Sequence, residues 1–313
     1  MRRAFLAVAA SLVVIGGLTA LPAGATAPGK NGDITFRRFI DDVGVLFTIH
    51  PDGTGERRVL TPPEGSTDDF PDFASDGSLI AFERCADLCH VMVVRPDGSG
   101  LRQVGADGSN ANAALSPDVR RVAFTRYTGP VRDDWIAHAD LYTARLSGGG
   151  VRRLTRAPKF DAEDVQSQWS PDGKRLVFAR YYRDGRRALF VVNADGSHLR
   201  RLTPFSLQAA DGPDWSPDGK RILFRSPATD DFLNTNLFTI RLDGSGLRQV
   251  THAAPDTTVF SASFSPDGKS ITAALQGVGG AADVYTMRTD GSHLTPVTRT
   301  VERDSAPDWG GRR

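Results

Sequence analysis

Two short motifs alternate along the chain and recur every 42 to 54 residues. The first reads Trp/Phe-Ser-Pro-Asp-Gly-Lys, with full copies at 169–174, 215–220 and 264–269 and weaker ones at 73–77, 115–118 and 308–310. The second reads Asp-Gly-Ser-x-Leu-Arg-x-Leu/Val-Thr, and its central glycine recurs at Gly53, Gly98, Gly148, Gly196, Gly244 and Gly291. A period in this range that persists through the chain predicts a propeller or an array rather than two ordinary domains.

The segments between the motifs have the alternation of β-strands. After each first motif an apolar residue is followed two positions later by a large one, as in Leu176 and Phe178, so both side chains share one strand face. A second run precedes each Asp-Gly and carries the column Phe47, Met92, Tyr142, Phe190, Phe238 and Tyr285. Both motifs have the Pro, Asp and Gly of tight turns. Each repeat therefore predicts four antiparallel strands, the unit of a propeller blade.

The two ends of the repeat complement each other. Residues 304–309 resemble the first strand of a unit that lacks its other strands, and residues 32–36 resemble a second strand that lacks a first. Joining them removes the open sheet edge of a linear array. We therefore predict an all-β, six-bladed β-propeller over residues 26–313, with the N- and C-terminal strands sharing one blade.

Residues 1–25 have the pattern of a secretory signal peptide. Arg2 and Arg3 precede an apolar run over residues 6–21, and Ala23-Gly24-Ala25 offers a small-x-small cleavage site. The run is short for a membrane span of roughly 20 residues, although a retained anchor is the alternative. We expect a secreted or cell-envelope protein with no membrane span after cleavage.

The charge of the chain is nearly balanced. There are 38 Lys and Arg and 37 Asp and Glu, so the formal charge is +1, and loss of Arg2 and Arg3 leaves 36 basic against 37 acidic groups. A near-neutral chain does not favour broad binding to nucleic acid or anionic lipid. We expect a monomer whose partner is a protein, a peptide or a glycan.

The chain has two cysteines, Cys85 and Cys89, separated by three residues between two predicted strands. In an exported protein this pair predicts a disulfide that closes a short loop. A metal site with His90 is the alternative, but two thiols and one imidazole leave a tetrahedral site incomplete.

The combination Ser-Pro-Asp-Gly-Lys-x-Ile/Leu-x-Phe followed by Asp-Gly-Ser-x-Leu-x-x-Leu-Thr resembles the WD-like repeat of the TolB-like β-propeller family. The resemblance covers residues 32–310 and implies the propeller without the α/β domain that precedes it in TolB. It also implies a periplasmic setting, since TolB is a periplasmic partner of a peptidoglycan-associated lipoprotein. Similar propellers precede α/β-hydrolase domains in prolyl-oligopeptidase-like peptidases.

The sequence has no recognisable catalytic motif: a nucleophile elbow, a zinc-protease helix, a phosphate loop and a dinucleotide fingerprint are all missing from it. Binding residues tend to lie on long loops over a rigid scaffold. Two long loops supply the candidate loop-face residues Arg132, Asp134, Trp135, His138, Asp231 and Phe232. These observations favour a non-catalytic binding or scaffold module.

A second candidate site consists of carboxylates that precede the first strands of several repeats. In a closed ring, Asp69, Asp164, Asp211 and Asp304 would converge at one mouth of the central channel. Such a set could bind a polar ligand or a cation, with Ca²⁺ as the candidate ion and no other cofactor expected. Capping and turn hydrogen bonds are the alternative role. A metal-dependent propeller hydrolase or lyase with its site at this mouth is the alternative function.

Overall fold

A computed structural model of the chain describes residues 28–105, 107–128, 131–132, 135–136, 138–158, 161–227, 234–254, 257–277 and 280–312. At residues 131, 132, 135, 136, 210 and 211 it describes the backbone alone. The predicted signal peptide, residues 1–25, lies outside these ranges. Within them, no helix has the length and apolar character needed to cross a membrane.

The described residues form antiparallel sheets that follow one another along the chain. Sheet A contains β1 (Lys30–Ile40), β2 (Val43–Ile49) and β3 (Arg57–Arg58). Sheet B contains β4 (Thr67–Phe73), β5 (Ile80–Cys85), β6 (Cys89–Val94) and β7 (Arg102–Gln103). Sheet C contains β8 (Asn110–Leu115), β9 (Arg121–Tyr127), β12 (Ala139–Arg145) and β13 (Arg152–Arg153), with a separate hairpin of β10 (Val131–Arg132) and β11 (Trp135–Ile136).

The remaining sheets repeat this order. Sheet D contains β14 (Ala162–Trp169), β15 (Arg175–Tyr182), β16 (Arg187–Asn193) and β17 (Arg200–Arg201), followed by a 3-10 turn, Phe205–Leu207. Sheet E contains β18 (Ala210–Trp215), β19 (Arg221–Pro227), β20 (Thr235–Arg241) and β21 (Arg248–Gln249). Sheet F contains β22 (Thr258–Phe264), β23 (Ser270–Gln276), β24 (Ala282–Arg288) and β25 (Thr295–Pro296).

The last strand, β26 (Asp304–Arg312), joins sheet A rather than forming a sheet of its own. It runs antiparallel to β1, with Ile34 opposite Trp309 and Arg38 opposite Asp304. Sheet A therefore has the strand order β26-β1-β2-β3 and contains strands from both ends of the described chain. A parallel pairing of Ala139 with Glu163 connects sheets C and D.

Apolar side chains fill the space between neighbouring sheets. The column that begins with Ile34 and the phenylalanine column two residues later are almost completely buried: Ile34, Ile80, Val122, Leu176, Ile222, Ile271, Phe36, Phe82, Phe124, Phe178 and Phe224. Within a sheet, the phenylalanine stacks on the aromatic residue of the next strand, with ring centroids 5.7 Å apart for Phe36 and Phe47 and 5.9 Å for Phe178 and Phe190. Another cluster joins sheet F to sheet A through Val284 and Phe36. The repeat residues thus build the cores between sheets, and burial of each aromatic pair contributes on the order of several kcal/mol.

Both motifs form hydrogen-bonded turns. Ser170 Oγ donates to Asp172 Oδ1 at 2.6 Å and accepts the N–H of Arg175 at 2.9 Å. In the second motif, Asp195 Oδ1 accepts both the N–H and the hydroxyl of Ser197, at 2.9 and 2.6 Å. These turns fix the strand register in the way that Asx turns do.

Candidate functional site at the central cavity

The first strand of every sheet carries a β-bulge at the same repeat position. The pairing register shifts between Asp69 and Asp72 in β4 and between Val165 and Gln168 in β14, with equivalent shifts in β8, β18, β22 and β26. Residues at the bulge adopt left-handed backbone angles, with φ between 45° and 55°, at Phe70, Asn112, Gln166, Gly212 and Ala306. A bulge changes the direction in which side chains point, so these strands present groups that a regular strand would not.

Those groups line a central cavity of about 330 Å³ to which strands of all the sheets contribute. The wall contains arginines, carboxamides, hydroxyls and aromatic rings, represented by Arg37, Asn112, Gln166, Ser261 and Phe260. A concave site with a few convergent polar groups among apolar ones is the usual form of a ligand-binding pocket.

Two carboxylates, the buried Asp72 and the half-buried Asp308, lie in this lining. Asp72 accepts the N–H of Leu115 at 2.7 Å and the side-chain amide of Gln168 at 2.6 Å. Asp308 accepts the N–H of Phe73 at 2.7 Å. Burial, and for Asp72 also the nearby charge of Asp308, raises the pKa of each carboxyl group above its usual value. Each of these backbone hydrogen bonds joins one sheet to the next, so the two carboxylates link neighbouring sheets at the cavity wall.

Glu83 and Arg37 stand at equivalent positions of strands β5 and β1. Glu83 Oε2 accepts the N–H of Asn112 at 2.6 Å and its carboxamide at 3.2 Å. Burial raises the pKa of Glu83 to about 7, with a further contribution from the charge of Asp69. Arg37 forms an ion pair with Asp69 and donates to Ser305 Oγ at 2.7 Å. Burial lowers the pKa of Arg37, and the same effect lowers the pKa of Arg225, which also lines the cavity.

The structure places the predicted channel-mouth carboxylates in separate environments. Asp164 is buried and forms a two-point ion pair with Arg180, at 2.5 and 2.8 Å. Asp304 is paired in the same way with Arg38, at 2.7 and 2.9 Å. Each pair lies within one sheet, between its first and second strands. Burial raises the pKa of both carboxyl groups, while the arginine partner acts in the opposite direction.

The other two predicted carboxylates differ from these. Asp69 is one residue further along its strand than the paired Asp68 and contacts Arg37, which lines the cavity. The side chain of Asp211 lies outside the described residues. Of the three carboxylates whose side chains are described, none is itself part of the cavity lining. A cation held by this set stays a prediction.

Most of the predicted loop-face residues cannot be placed. Asp134, Asp231 and Phe232 lie outside the described residues, as do the side chains of Arg132 and Trp135 in the β10–β11 hairpin. His138 is described: its Nε2 lies 2.6 Å from Asp140 Oδ2. The guanidinium of Arg153 lies 2.5 Å from the same oxygen. His138 is thus part of a local ion-pair network beside the sheet.

Cys85 and Cys89 are joined by a disulfide between strands β5 and β6. Their sulfur atoms and a carboxylate oxygen of Glu83 form the one group of three metal-ligand atoms found within the described ranges. Sulfur atoms joined in a disulfide are not thiolates, and a thiolate is the form that binds a metal. This cluster therefore does not provide a zinc-type site.

Several residues of the cavity were not among the sequence-based candidates. Phe70, Asn112 and Gln166 occupy the position three residues before the Trp, Phe or Leu of the first motif. That constant offset was visible in the sequence. Its meaning was not, because side-chain direction there depends on the bulge.

Antiparallel four-stranded sheets that pack in sequence around a shared cavity define a β-propeller. A family model described as the TolB beta propeller domain matches residues 70–258, which is more than half of the chain. The chain therefore belongs to the TolB β-propeller family, as the repeat predicted.

Comparison with individual proteins agrees with this membership. The chain is 33% identical over 68 residues to the Tol-Pal system protein TolB of Syntrophus aciditrophicus (strain SB), a match that spans 22% of this chain and 14% of that protein. The crystal structure of TolB from Acinetobacter baumannii superposes with a TM-score of 0.75 at 20% identity, covering 90% of this chain and 67% of that one. A chain of a nidogen/laminin complex superposes with a TM-score of 0.68 at 12% identity, covering 88% and 97%. The two structural likenesses concern the fold alone.

Proposed function

We propose that the chain is a non-catalytic binding module that acts outside the cytoplasmic membrane and holds a peptide segment of a partner protein in the central cavity. The observation that carries the proposal is a pair of hydroxyls, Ser167 Oγ and Ser261 Oγ. Both belong to residues that line the cavity, and neither oxygen is exposed or has a hydrogen-bond partner among the described residues, so each hydroxyl reaches a ligand by rotation about χ1. Buried polar atoms are nearly always satisfied, so a ligand that brings its own donors and acceptors suits this wall.

The mixture of groups in the wall favours a peptide over a purely apolar or purely ionic ligand. Peptide main chains carry both N–H and C=O groups, which carboxamides and hydroxyls such as those of Gln168 and Ser261 can match. Phe70 and Phe260 offer aromatic surface for a side chain, and Arg225 offers a positive charge for an acidic group. A cavity of about 330 Å³ holds only a short stretch or an end of such a chain.

The proposal includes a closed ring of six blades. It is supported by the pairing of β26 with β1 and by the hydrogen bond from Trp309 N–H to Ser263 Oγ, which links sheets A and F. A closed ring holds the cavity wall rigid, and rigidity reduces the loss of entropy on binding. The extracytoplasmic setting is supported by the predicted signal peptide and by the Cys85–Cys89 disulfide.

The proposal is tested by selecting binders from a random peptide library displayed on beads and measuring their affinity for the purified chain. Ser261→Trp places an indole in the cavity and should weaken the selected peptides at least about tenfold, the loss expected when a central contact of about 1.4 kcal/mol is removed. Leu294→Ala changes a residue that is 50% exposed on a turn and serves as the matched control. Peptides that bind the Ser261→Trp variant as tightly as the original chain would place their site elsewhere and overturn the proposal.

A further inference from the structure

Sheet C differs from the other sheets in its second turn. In the other sheets this turn begins with an aspartate: Asp52, Asp97, Asp195, Asp243 and Asp290. Each of these carboxylates accepts the N–H two residues further on, for example from Ser245 at 2.8 Å. Sheet C has Ser147 there, followed by Gly148, Gly149 and Gly150. The sheet therefore lacks one negative charge at a place where its neighbours all have one.

Four arginines surround the place where that charge is missing. Arg102, Arg120, Arg121 and Arg145 line one surface pocket of about 660 Å³ together with Ser147. Asp118 is the one carboxylate in the lining, and its Oδ1 already accepts Ser116 Oγ at 2.7 Å and the N–H of Arg120 at 3.2 Å. In the part of the chain that the structure describes, none of the four guanidinium groups forms an ion pair.

Two of the arginines are held in position by contacts that do not neutralise them. Arg102 Nη1 donates to the carbonyl of Leu146 at 2.7 Å, across the boundary between sheets B and C. The guanidinium of Arg121 lies 4.8 Å from the ring centre of Trp169. A guanidinium fixed by a carbonyl or an aromatic face keeps its other N–H groups free to bind oxyanions, and less entropy is lost when it does so.

Sheet E provides an internal comparison. Its equivalent cations are Arg200, Lys220, Arg221 and Arg241, so it matches sheet C in number. Its turn keeps Asp243, however, and Lys220 lies 3.4 Å from Asp218. Four cations thus face one carboxylate, Asp118, in sheet C and two carboxylates, Asp218 and Asp243, in sheet E, so the excess of positive charge is larger in sheet C.

We propose that Arg102, Arg120, Arg121 and Arg145 form a binding site for a phosphate or sulfate group. Guanidinium groups match tetrahedral oxyanions in both charge and hydrogen-bond geometry. The group would be carried by a ligand distinct from the peptide in the central cavity, since the pocket lies at the turns, away from the bulged segments. The module then has two sites with different chemistry.

The test measures binding of inorganic phosphate, and separately of sulfate, by isothermal titration at constant ionic strength set with sodium chloride. The Ser147→Asp variant gives sheet C the aspartate that the other sheets have at this turn position. It should fold normally, because aspartate is accommodated at the equivalent position of those sheets. We expect this variant to weaken phosphate binding about tenfold or more, as does Arg120→Gln combined with Arg145→Gln. Lys220→Gln removes the equivalent cation of sheet E and should leave binding unchanged.

Two outcomes overturn the proposal. One is phosphate binding that is equal in the original chain and in Ser147→Asp. The other is a loss in Lys220→Gln as large as that in the combined Arg120→Gln and Arg145→Gln variant, which would indicate diffuse attraction to the cations of several turns. Binding of dextran sulfate, with neutral dextran as the control, then distinguishes the source of the group. If the chain binds dextran sulfate more tightly than free sulfate and Ser147→Asp loses this binding, the group belongs to a polymer. Equal affinity for dextran sulfate and free sulfate indicates a free ion.

Discussion

The turns formed by the second motif, which we call the rim, and the central cavity are built from the same repeats. They differ in how much their residues vary from one sheet to the next. At the rim, equivalent residues make equivalent contacts: Asp195 and Asp243 both accept the N–H and hydroxyl of a serine two residues on. In the cavity, the bulge recurs but its residue changes from one sheet to the next, from Phe70 to Asn112 to Gln166. The repeated residues therefore build the frame, and the residues that vary between repeats form the cavity wall.

The two regions also differ in how they affect stability. Rim aspartates are exposed, and their hydrogen bonds lower the pKa of their carboxyl groups. Ionisation of these groups therefore favours the folded state. Asp72 in the cavity wall and Glu83 behind the wall residue Asn112 are buried, and burial raises the pKa of both carboxyl groups, so their ionisation opposes folding. Changes to the frame should thus destabilise the chain, whereas some changes to the cavity should stabilise it.

The largest expected effect comes from removing strand β26, the element that the frame and the cavity share. A chain that ends before Asp304 loses Trp309, which is 5% exposed, and leaves the buried Arg38 without the carboxylate of Asp304. Loss of a buried aromatic residue alone costs about 3–5 kcal/mol. Loss of Asp304 adds to that, because Arg38 then keeps Glu56 as its one remaining carboxylate partner among the described residues. We expect the midpoint of thermal unfolding, followed by circular dichroism, to fall by about 10 °C or more, or the cooperative transition to disappear.

The matched control is a chain that ends at Gly311, which keeps almost all of β26. Its midpoint should stay within about 2 °C of that of the full chain, since the one described residue that is removed, Arg312, is exposed. An unchanged midpoint in the shorter chain would contradict closure of sheet A by its last strand.

A second, smaller effect distinguishes two glycines of the frame. Gly98 has φ +83°, and an added Cβ would lie 2.6 Å from the carbonyl oxygen of Val59 in the neighbouring sheet. Gly149 has φ +70°, and an added Cβ there would meet nothing within 4 Å. Both Gly→Ala changes strain the backbone by about 1–2 kcal/mol, but only Gly98→Ala also pushes two sheets apart. We expect it to lose about 1–3 kcal/mol more in urea unfolding than Gly149→Ala does.

If both variants lose the same free energy of unfolding, the backbone angle alone accounts for the requirement for glycine at these positions. The close approach of Gly98 to Val59 would then add nothing to the loss. A larger loss in Gly149→Ala would contradict the assignment of the sheet C turn as an open surface.

The sequence predicted the frame well because each frame residue has a local reason for its identity. Ile34, Phe36 and Phe47 alternate as strand residues must, and the tight turns require Pro, Asp and Gly at fixed positions. The cavity was predicted less well. Left-handed angles usually mark glycine, but here Phe70 and Gln166 adopt them, so the bulge has no reliable local signature.

The candidate carboxylates illustrate the same limit. The position of Asp164 and Asp304 in their own strands predicts a shared site, but their partners Arg180 and Arg38 lie on the next strand. Both arginines stand two residues after a core phenylalanine, so a cross-strand comparison of the repeats would have indicated the ion pairs.

The smallest expected effect concerns Glu83, where the substitution should stabilise the folded chain instead of destabilising it. The pKa of Glu83 is raised by burial from 4.5 to about 7. Because the folded state binds this proton more tightly than the unfolded state, its contribution to stability is present below about pH 4.5 and is lost as the pH rises to 7. Glu83→Gln removes the titration, and the new carboxamide oxygen can still accept from Asn112. Between pH 4 and pH 8, we expect the free energy of unfolding to change by about 2 kcal/mol in favour of the variant.

Urea unfolding at a series of pH values measures this difference, with Glu64→Gln as the control because Glu64 is an exposed loop residue. That control should show the same pH dependence as the original chain. If Glu83→Gln also follows the original chain, the carboxyl of Glu83 is not held in a dry environment, and the contrast between rim and cavity fails at this residue. The Glu83→Gln variant can also be tested for binding of the peptides selected for the central cavity. If it is more stable above pH 7 but binds these peptides more weakly, Glu83 serves binding at a cost to stability, since a purely structural residue has no reason to destabilise the folded state.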